Sequence, residues 1–209
     1  MLTMHPTLLI GPSDWRADVM PKEEFTRRID ALWRAFPEAP CAIVYGDRCH
    51  HAELAYLTNL VPKLEAAVAL ISRNGGHEIY AGGGPNMLDA VRPLTWIADL
   101  KPLRGGQAIG QRAAEAKEGL PAVPLLIGGG YMPTALRQGI AETIGEPPLD
   151  ATAQLWTQMR QPSAHEFFAI YNAGSALNNA MNAIVDALAD GASVTAAILA
   201  GERAASDCG

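Results

Sequence analysis

Ala66-Ala-Val-Ala-Leu-Ile-Ser-Arg-Asn-Gly-Gly-His-Glu-Ile-Tyr-Ala81 is the stretch that decides the fold class. Its first half is an apolar, β-branched run, and His77-Glu-Ile-Tyr-Ala81 is a second one. Asn74-Gly75 between them predicts a type I′ hairpin turn, whose two central residues both need positive φ. Two strands are therefore expected side by side and antiparallel.

Working outward, Cys41-Ala-Ile-Val-Tyr45 lies between Pro40 and Gly46 and reads as a buried strand. Trp96-Ile-Ala-Asp-Leu100 and Ala122-Val-Pro-Leu-Leu-Ile127 read as two more. Helical patterns alternate with them. Pro21 suits a first turn, Glu23 and Glu24 complement the dipole there, and Phe25, Ile29, Leu32, Trp33 and Phe36 mark one face before Pro37. Further helices are expected over His51–Leu57, Met87–Val91, Gln107–Glu118 and Pro133–Ile144, with Gly145-Glu-Pro-Pro148 as a break. Alternating strands and helices with one hairpin predict an α/β fold, a mixed, mostly parallel sheet flanked by helices.

The chain then changes character. Ser163-Ala-His-Glu166 has the pattern of a capping box, and Leu177, Met181, Ile184 and Leu188 recur behind it at helical spacing. Gly191 ends that helix and another begins near Ser193. Two domains are expected: 1–160, and a helical hairpin over 161–209 whose Ile184, Leu188, Ile198 and Leu199 need something to lie on.

Composition bounds the function. Of 209 residues, 49% are hydrophobic and 18% charged, so a filled core is expected rather than disorder. A net charge of −6 with no basic stripe argues against a nucleic-acid partner. Cys41, Cys49 and Cys208 form no CxxC pair or even framework, which suits a reducing compartment. Leu8-Leu9-Ile10 lacks a basic start, so no signal peptide is expected. Nothing approaches the roughly 18 to 20 apolar residues of a membrane span. A cytoplasmic protein with no membrane partner is the expectation.

Motifs that carry chemistry are few. Gly105-Gly106-Gln-Ala-Ile-Gly110 and Gly128-Gly129-Gly130 complete neither GxGxxG nor GxxxxGK[ST], and read as tight turns rather than phosphate cradles. No histidine has HExxH spacing, Asp186 and Asp190 read as solvated helix positions, and no GxSxG is present. His50 and His51 offer ring nitrogens at a loop edge, whereas His77, just after the hairpin turn, is expected to be exposed.

Several of these segments, taken together, resemble a known family. Arg27 and Arg28 followed by Leu32 ahead of a buried strand, then Tyr56-Leu57-Thr58-Asn59, look like the N-terminal domain of the creatinase, prolidase and aminopeptidase P (M24, pita-bread metallohydrolase) family. Met159-Arg160 followed by Glu166, Ala173, Leu188 and Gly191 resembles that family's passage into its catalytic domain. Asn59 stands where Gly is usual, and Pro162 where Lys is common. The resemblance implies a creatinase N-terminal-domain-like fold followed by the first two helices of a pita-bread domain. It also implies a dimeric hydrolase that cuts a C–N bond of a small peptide-like or amide substrate through a metal-activated water. The family's metal ligands have no counterpart here, so no catalytic and no metal-ligating residue is assigned. Two divalent metal ions (Mn, Co or Zn) are expected only with a complete catalytic domain, as part of a homodimer or from a second subunit. The segment Leu60-Val-Pro-Lys63-Leu-Glu65 resembles the part that reaches the partner's active site. Lys63 is thereby implied to pair with a substrate carboxylate, with His50 and His51 on the same edge. Two alternatives stand beside this reading: a non-catalytic binding or regulatory module that dimerises, and a small α/β enzyme using a glycine loop.

Overall fold

A computed structural model describes residues 14–63, 65–118 and 122–208. The expected break at Gly11-Pro12-Ser13 and the Leu8-Leu9-Ile10 patch lie outside the described residues. The chain divides into two compact units, up to Gln161 and from Pro162.

The first unit is built on a six-stranded sheet. Helix α1 (Lys22–Ala35) leads into β1 (Cys41–Gly46), α2 (Ala52–Thr58), β2 (Ala67–Ser72), β3 (Glu78–Ala81) and α3 (Pro85–Val91). After a 3-10 turn (Arg92–Leu94) come β4 (Asp99–Pro102), α4 (Gly106–Lys117), β5 (Leu125–Ile127), α5 (Thr134–Ile144), β6 (Leu149–Asp150) and α6 (Thr152–Met159). The sheet order is β4-β3-β2-β1-β5-β6. Only the β1–β2 and β2–β3 pairs are antiparallel; β3–β4, β1–β5 and β5–β6 are parallel. The fold is the expected mixed, mostly parallel α/β sheet.

Helices cover both sheet faces, which explains the unbroken apolar run of β1. Its alternate residues face opposite ways. Ala42 and Val44 join Ile29, Leu32, Leu54, Leu57 and Leu155, on the side of α1, α2 and α6. Cys41, Ile43 and Tyr45 join Ile109, Ala113 and Ile140, on the side of α4 and α5. Enclosure raises the Cys41 thiol to about 12, through burial alone.

Four expectations are corrected. The hairpin forms, but positive φ falls on Gly75 and Gly76 rather than on Asn74, so the turn is not the Asn-Gly type I′ form. His77 is half-buried, not exposed: its ring meets Trp96 edge-on at 5.5 Å and its Nδ1 accepts the Ser72 N–H at 3.2 Å. The strand read at Trp96–Leu100 begins only at Asp99. Trp96 instead donates its Nε1 proton to the Leu57 carbonyl at 3.1 Å and stacks on Phe25, so side-chain anchoring displaces ladder pairing there. Finally, Gly106 and Gly110 are not turn residues but lie in α4, where a Cβ would sit 2.3 Å from the Leu136 carbonyl and 2.8 Å from that of Ile140. They let α4 and α5 touch backbone to backbone.

The second unit is a helical hairpin, α7 (Ala164–Ala189) and α8 (Val194–Ser206). The Ser163 hydroxyl accepts the Glu166 N–H at 3.2 Å while the Glu166 carboxylate accepts the Ser163 N–H at 2.8 Å, which completes the expected capping box. Within the hairpin Gly201 packs against Ile184, so Ile184 serves the seam rather than the open surface. No residue of α7 is buried in this unit. Phe167, Phe168, Tyr171, Leu177, Met181, Val185 and Leu188 are between 46% and 67% exposed.

Candidate functional site

Register places one edge of the sheet apart from the rest. Gly46, which ends β1, pairs with Ala67; Ala67 pairs with Ala81, the end of β3; and Ala81 pairs with Pro102, the end of β4. Strands β5 and β6 run parallel to β1 and finish on the same side. Five strands thus present their carboxyl ends together, where ligands bind in open α/β sheets. His50, His51 and Lys63 all lie in loops at this edge.

Lys63 borders a cavity of about 510 Å³. Leu60, Ala67 and Ala81 supply buried floor, Met87, Val91 and Leu94 supply walls, and Asp14, Lys63 and Glu65 stand exposed at the rim. The Glu65 carboxylate accepts the Gly83 N–H at 2.7 Å. No side chain fits at Gly82, where a Cβ would lie 2.4 Å from the same carboxylate oxygen. Gly83 has φ of +91°, a conformation that L side chains rarely adopt.

The floor is set by the end of α2. Asn59 takes the left-handed conformation, φ 64°, and its N–H caps the helix on the Ala55 carbonyl at 2.8 Å. That position accepts Gly or Asn and little else. Its side-chain amide donates to the Leu94 carbonyl at 3.0 Å, and the Thr95 hydroxyl donates to the Thr58 carbonyl at 2.6 Å. The fully buried Thr58 hydroxyl donates to the Leu54 carbonyl and accepts the Leu60 N–H. Tyr56-Leu57-Thr58-Asn59 is thus a helix stop bonded to the wall of the cavity.

His50 belongs to a different cluster. Asp47 Oδ1 accepts the backbone N–H groups of Cys49 (2.8 Å) and His50 (2.7 Å), and lies 3.3 Å from His50 Nδ1. Burial pushes the Asp47 carboxyl upward, but these backbone hydrogen bonds outweigh it and hold the carboxyl below its usual range. The Tyr45 hydroxyl donates to Asp47 Oδ2 at 3.2 Å, and burial together with that carboxylate raises Tyr45 to about 12. The His50 ring stacks on Tyr131 with centroids 3.8 Å apart and planes 10° from parallel. His51 Nδ1 lies 3.2 Å from the Arg48 carbonyl, directly before α2. Neither histidine lines the Lys63 cavity, although all three residues share the carboxyl-end edge.

Sequence reasoning passed over a buried ionic group on β3. The Glu78 carboxylate accepts from the Tyr80 hydroxyl at 2.6 Å, from Lys101 Nζ at 2.9 Å and from Arg112 at 2.9 Å. Its signal was a lone carboxylate inside an otherwise apolar strand. Burial alone would raise the Glu78 carboxyl, but these three donors lower it. Tyr80 is raised, by burial first and by Glu78 second.

Among the described residues no three or more His, Cys, Asp or Glu side chains are grouped so as to hold a metal ion. The residues present therefore do not fit the two-metal centre that the resemblance implies, and no chemical step is drawn through one. Among them, too, no helix is long and apolar enough to cross a membrane.

No family model matches the sequence, and no curated protein matches it. Solved structures do match. The chain is similar to an X-Pro aminopeptidase from Thermotoga maritima MSB8, with a TM-score of 0.62 and 12% identity over 88% of this chain and 49% of that one. It is also similar to the dipeptidase PepE from Mycobacterium ulcerans, with a TM-score of 0.58 and 19% identity over 90% and 51%. An Xaa-Pro dipeptidase from Bacillus anthracis gives a TM-score of 0.53 and 16% identity over 78% and 43%. At such identities these likenesses show the fold alone, an α/β fold shared with these peptidases. The chain spans about half the length of the structures it matches.

Proposed function

We propose that this chain is the substrate-facing, dimer-forming part of a metal-dependent hydrolase that cuts a C–N bond in a small peptide-like or amide substrate. The metal ligands and two divalent ions belong, on this reading, to a catalytic half outside this chain, on a longer polypeptide that dimerises or in a second subunit, working in the cytoplasm. The observation that carries the reading is the helical unit. Residues 167–185 contain no Asp, Glu, Lys, Arg or His, and none of α7 is buried. A helix apolar on its exposed faces belongs inside a larger body. Supporting it, two of the similar structures are peptidases of which this chain covers about half.

Within that assembly Lys63 pairs with the substrate carboxylate, while His50 and His51 line the neighbouring edge of the same sheet end. The stacked, Asp47-bonded His50 ring is fixed in orientation, as a contact group needs to be.

The test is an intact-mass and metal analysis of the protein purified from its native cells without proteolysis. A heavier polypeptide or a co-purifying subunit with about two transition-metal ions per site supports the proposal. A metal-free species of 209 residues alone would instead leave a binding or regulatory module that dimerises. For the site, Lys63→Ala in the complete enzyme is expected to raise KM about fivefold at constant kcat, and an unchanged KM would remove Lys63 from the substrate.

A further inference from the structure

We infer that the Lys63 cavity binds a free zwitterionic amino acid by its apolar side chain. The inference rests on the reading above that Lys63 faces a carboxylate, and it names the ligand class that the rest of the cavity selects.

Size and charge placement select this ligand. At about 510 Å³ the cavity lies within the roughly 300 to 1,000 Å³ of small-molecule sites. Among the described residues its floor and walls carry aliphatic groups and Met87, with no aromatic ring and no buried ionisable group. A branched aliphatic side chain is what such a lining takes from water. Among them, charge appears at the exposed rim and is of both signs: the Lys63 ammonium, and the carboxylates of Asp14 and Glu65. A ligand that seats an apolar group below and carries one positive and one negative charge above satisfies both parts. A fatty acid leaves the two carboxylates facing its own negative charge, and an amine leaves Lys63 facing a positive one.

The cavity is also built rather than incidental. Its Gly82-Gly83 side is held by the Glu65 hydrogen bond, and its floor by the Asn59–Leu94 and Thr58–Thr95 bonds. Preformed walls reduce the ordering cost of a small ligand.

The test is an NMR titration of the full 209-residue chain with L-leucine, 4-methylpentanoate, L-leucinamide and glycine. L-Leucine is expected to move the amide signals of Ala67, Ala81, Gly82 and Gly83. Glycine, with no side chain to bury, should bind at least about tenfold more weakly. Removing the amine, as in 4-methylpentanoate, or the carboxylate charge, as in L-leucinamide, should weaken binding about two- to fivefold each, the range for solvent-exposed ion pairs. Lys63→Ala should erase the preference for L-leucine over L-leucinamide. Val91→Trp, which fills the cavity, should abolish L-leucine binding while amide signals in β1 and β5 stay in place.

L-Leucine failing to move these amides up to its solubility limit would overturn the inference. So would equal affinity for L-leucine, 4-methylpentanoate and L-leucinamide. If L-leucine binds as expected while Lys63→Ala leaves the KM of the complete enzyme unchanged, the cavity is upheld and only the hydrolase role of Lys63 falls.

Discussion

Arg28 donates from Nη1 to the backbone carbonyl of Tyr56 at 2.6 Å, and its guanidinium lies 4.3 Å from the centre of the same residue's ring. One side chain of α1 thereby holds the last turn of α2, the turn that ends in the left-handed Asn59. Arg28 is itself buried, and Glu24 one turn earlier accepts its Nε–H at 3.0 Å. The arginine and tyrosine segments that suggested the family in the sequence are two ends of one contact.

Replacing Arg28 by Ala removes one of the two arginines on the buried Glu24 carboxylate, which Arg27 still holds, together with the bond to the Tyr56 carbonyl. The expected loss is about 2 kcal/mol, below that for a buried carboxylate left with no partner. Arg28→Lys, which keeps the charge without the fork, should lose about half of that. Urea midpoints of the two variants check the order. Equal stability of Arg28→Ala and the parent would show that the contact does not hold α2 in solution.

Asn59→Gly should be close to neutral, because both residues adopt the left-handed conformation; the lost amide bond to Leu94 offsets part of the gain. Asn59→Ala should cost about 1 to 2 kcal/mol, as a Cβ without a compensating polar group is strained there. Thermal unfolding of both variants decides. An alanine variant as stable as the parent would refute the account of the helix stop.

Glu78 sets a pH dependence. Its carboxyl has an ordinary value of 4.5 and lies lower in the folded protein. The folded state therefore binds fewer protons than the unfolded one. Its contribution is fully present above the unfolded value and drains away as pH falls through the folded value. Glu78→Gln should be less stable than the parent at pH 7 by about 1.5 to 3 kcal/mol, and the gap should close towards pH 3. A gap that stays constant from pH 7 to pH 3 would mean that the carboxylate charge is not what Lys101 and Arg112 hold.

Gly106→Ala puts a methyl group 2.3 Å from the Leu136 carbonyl and 2.6 Å from the Ile140 amide, so α4 and α5 must part. About 1 to 3 kcal/mol of overpacking is expected. Gly130→Ala, where a Cβ meets nothing within 4 Å, is the control and should change stability little. Denaturation midpoints of the pair separate close packing from a general effect of losing a glycine.

What the sequence revealed follows the physics of each signal. Apolar runs bounded by Gly and Pro exposed β1, β2 and β3, because strands covered on both faces have no polar side to blur them. The two-residue β6 was invisible, since Leu149-Asp150 carries no periodicity. Helix α6 was missed because its anchor is Leu155 together with the hydrogen bond from Trp156 to Glu53 at 2.6 Å, which joins residues 103 apart in the chain. Lys63 came from resemblance and the histidines first from their place at a loop edge, and only the strand register shows that the three share an edge. The cavity itself is assembled from segments 14, 60–67, 81–83 and 87–94, and no local window contains it.

The strand order also sets a timetable. Strand β1 lies between β2, the next strand made, and β5, whose Ile127 is paired with Val44. The β1–β2–β3 meander closes through the α2-bearing connection after Gly46 and the short turn after Ser72, and can form as soon as it is synthesised. The other flank of β1 then waits for about 45 more residues, or roughly 2 to 9 s at about 5 to 20 residues per second. During that interval β1, a fully buried strand in the finished fold, has an unpaired hydrogen-bonding edge, which is the template on which growing chains misjoin. Nascent copies on one message are thus most vulnerable to one another after β3 has emerged and before β5 has.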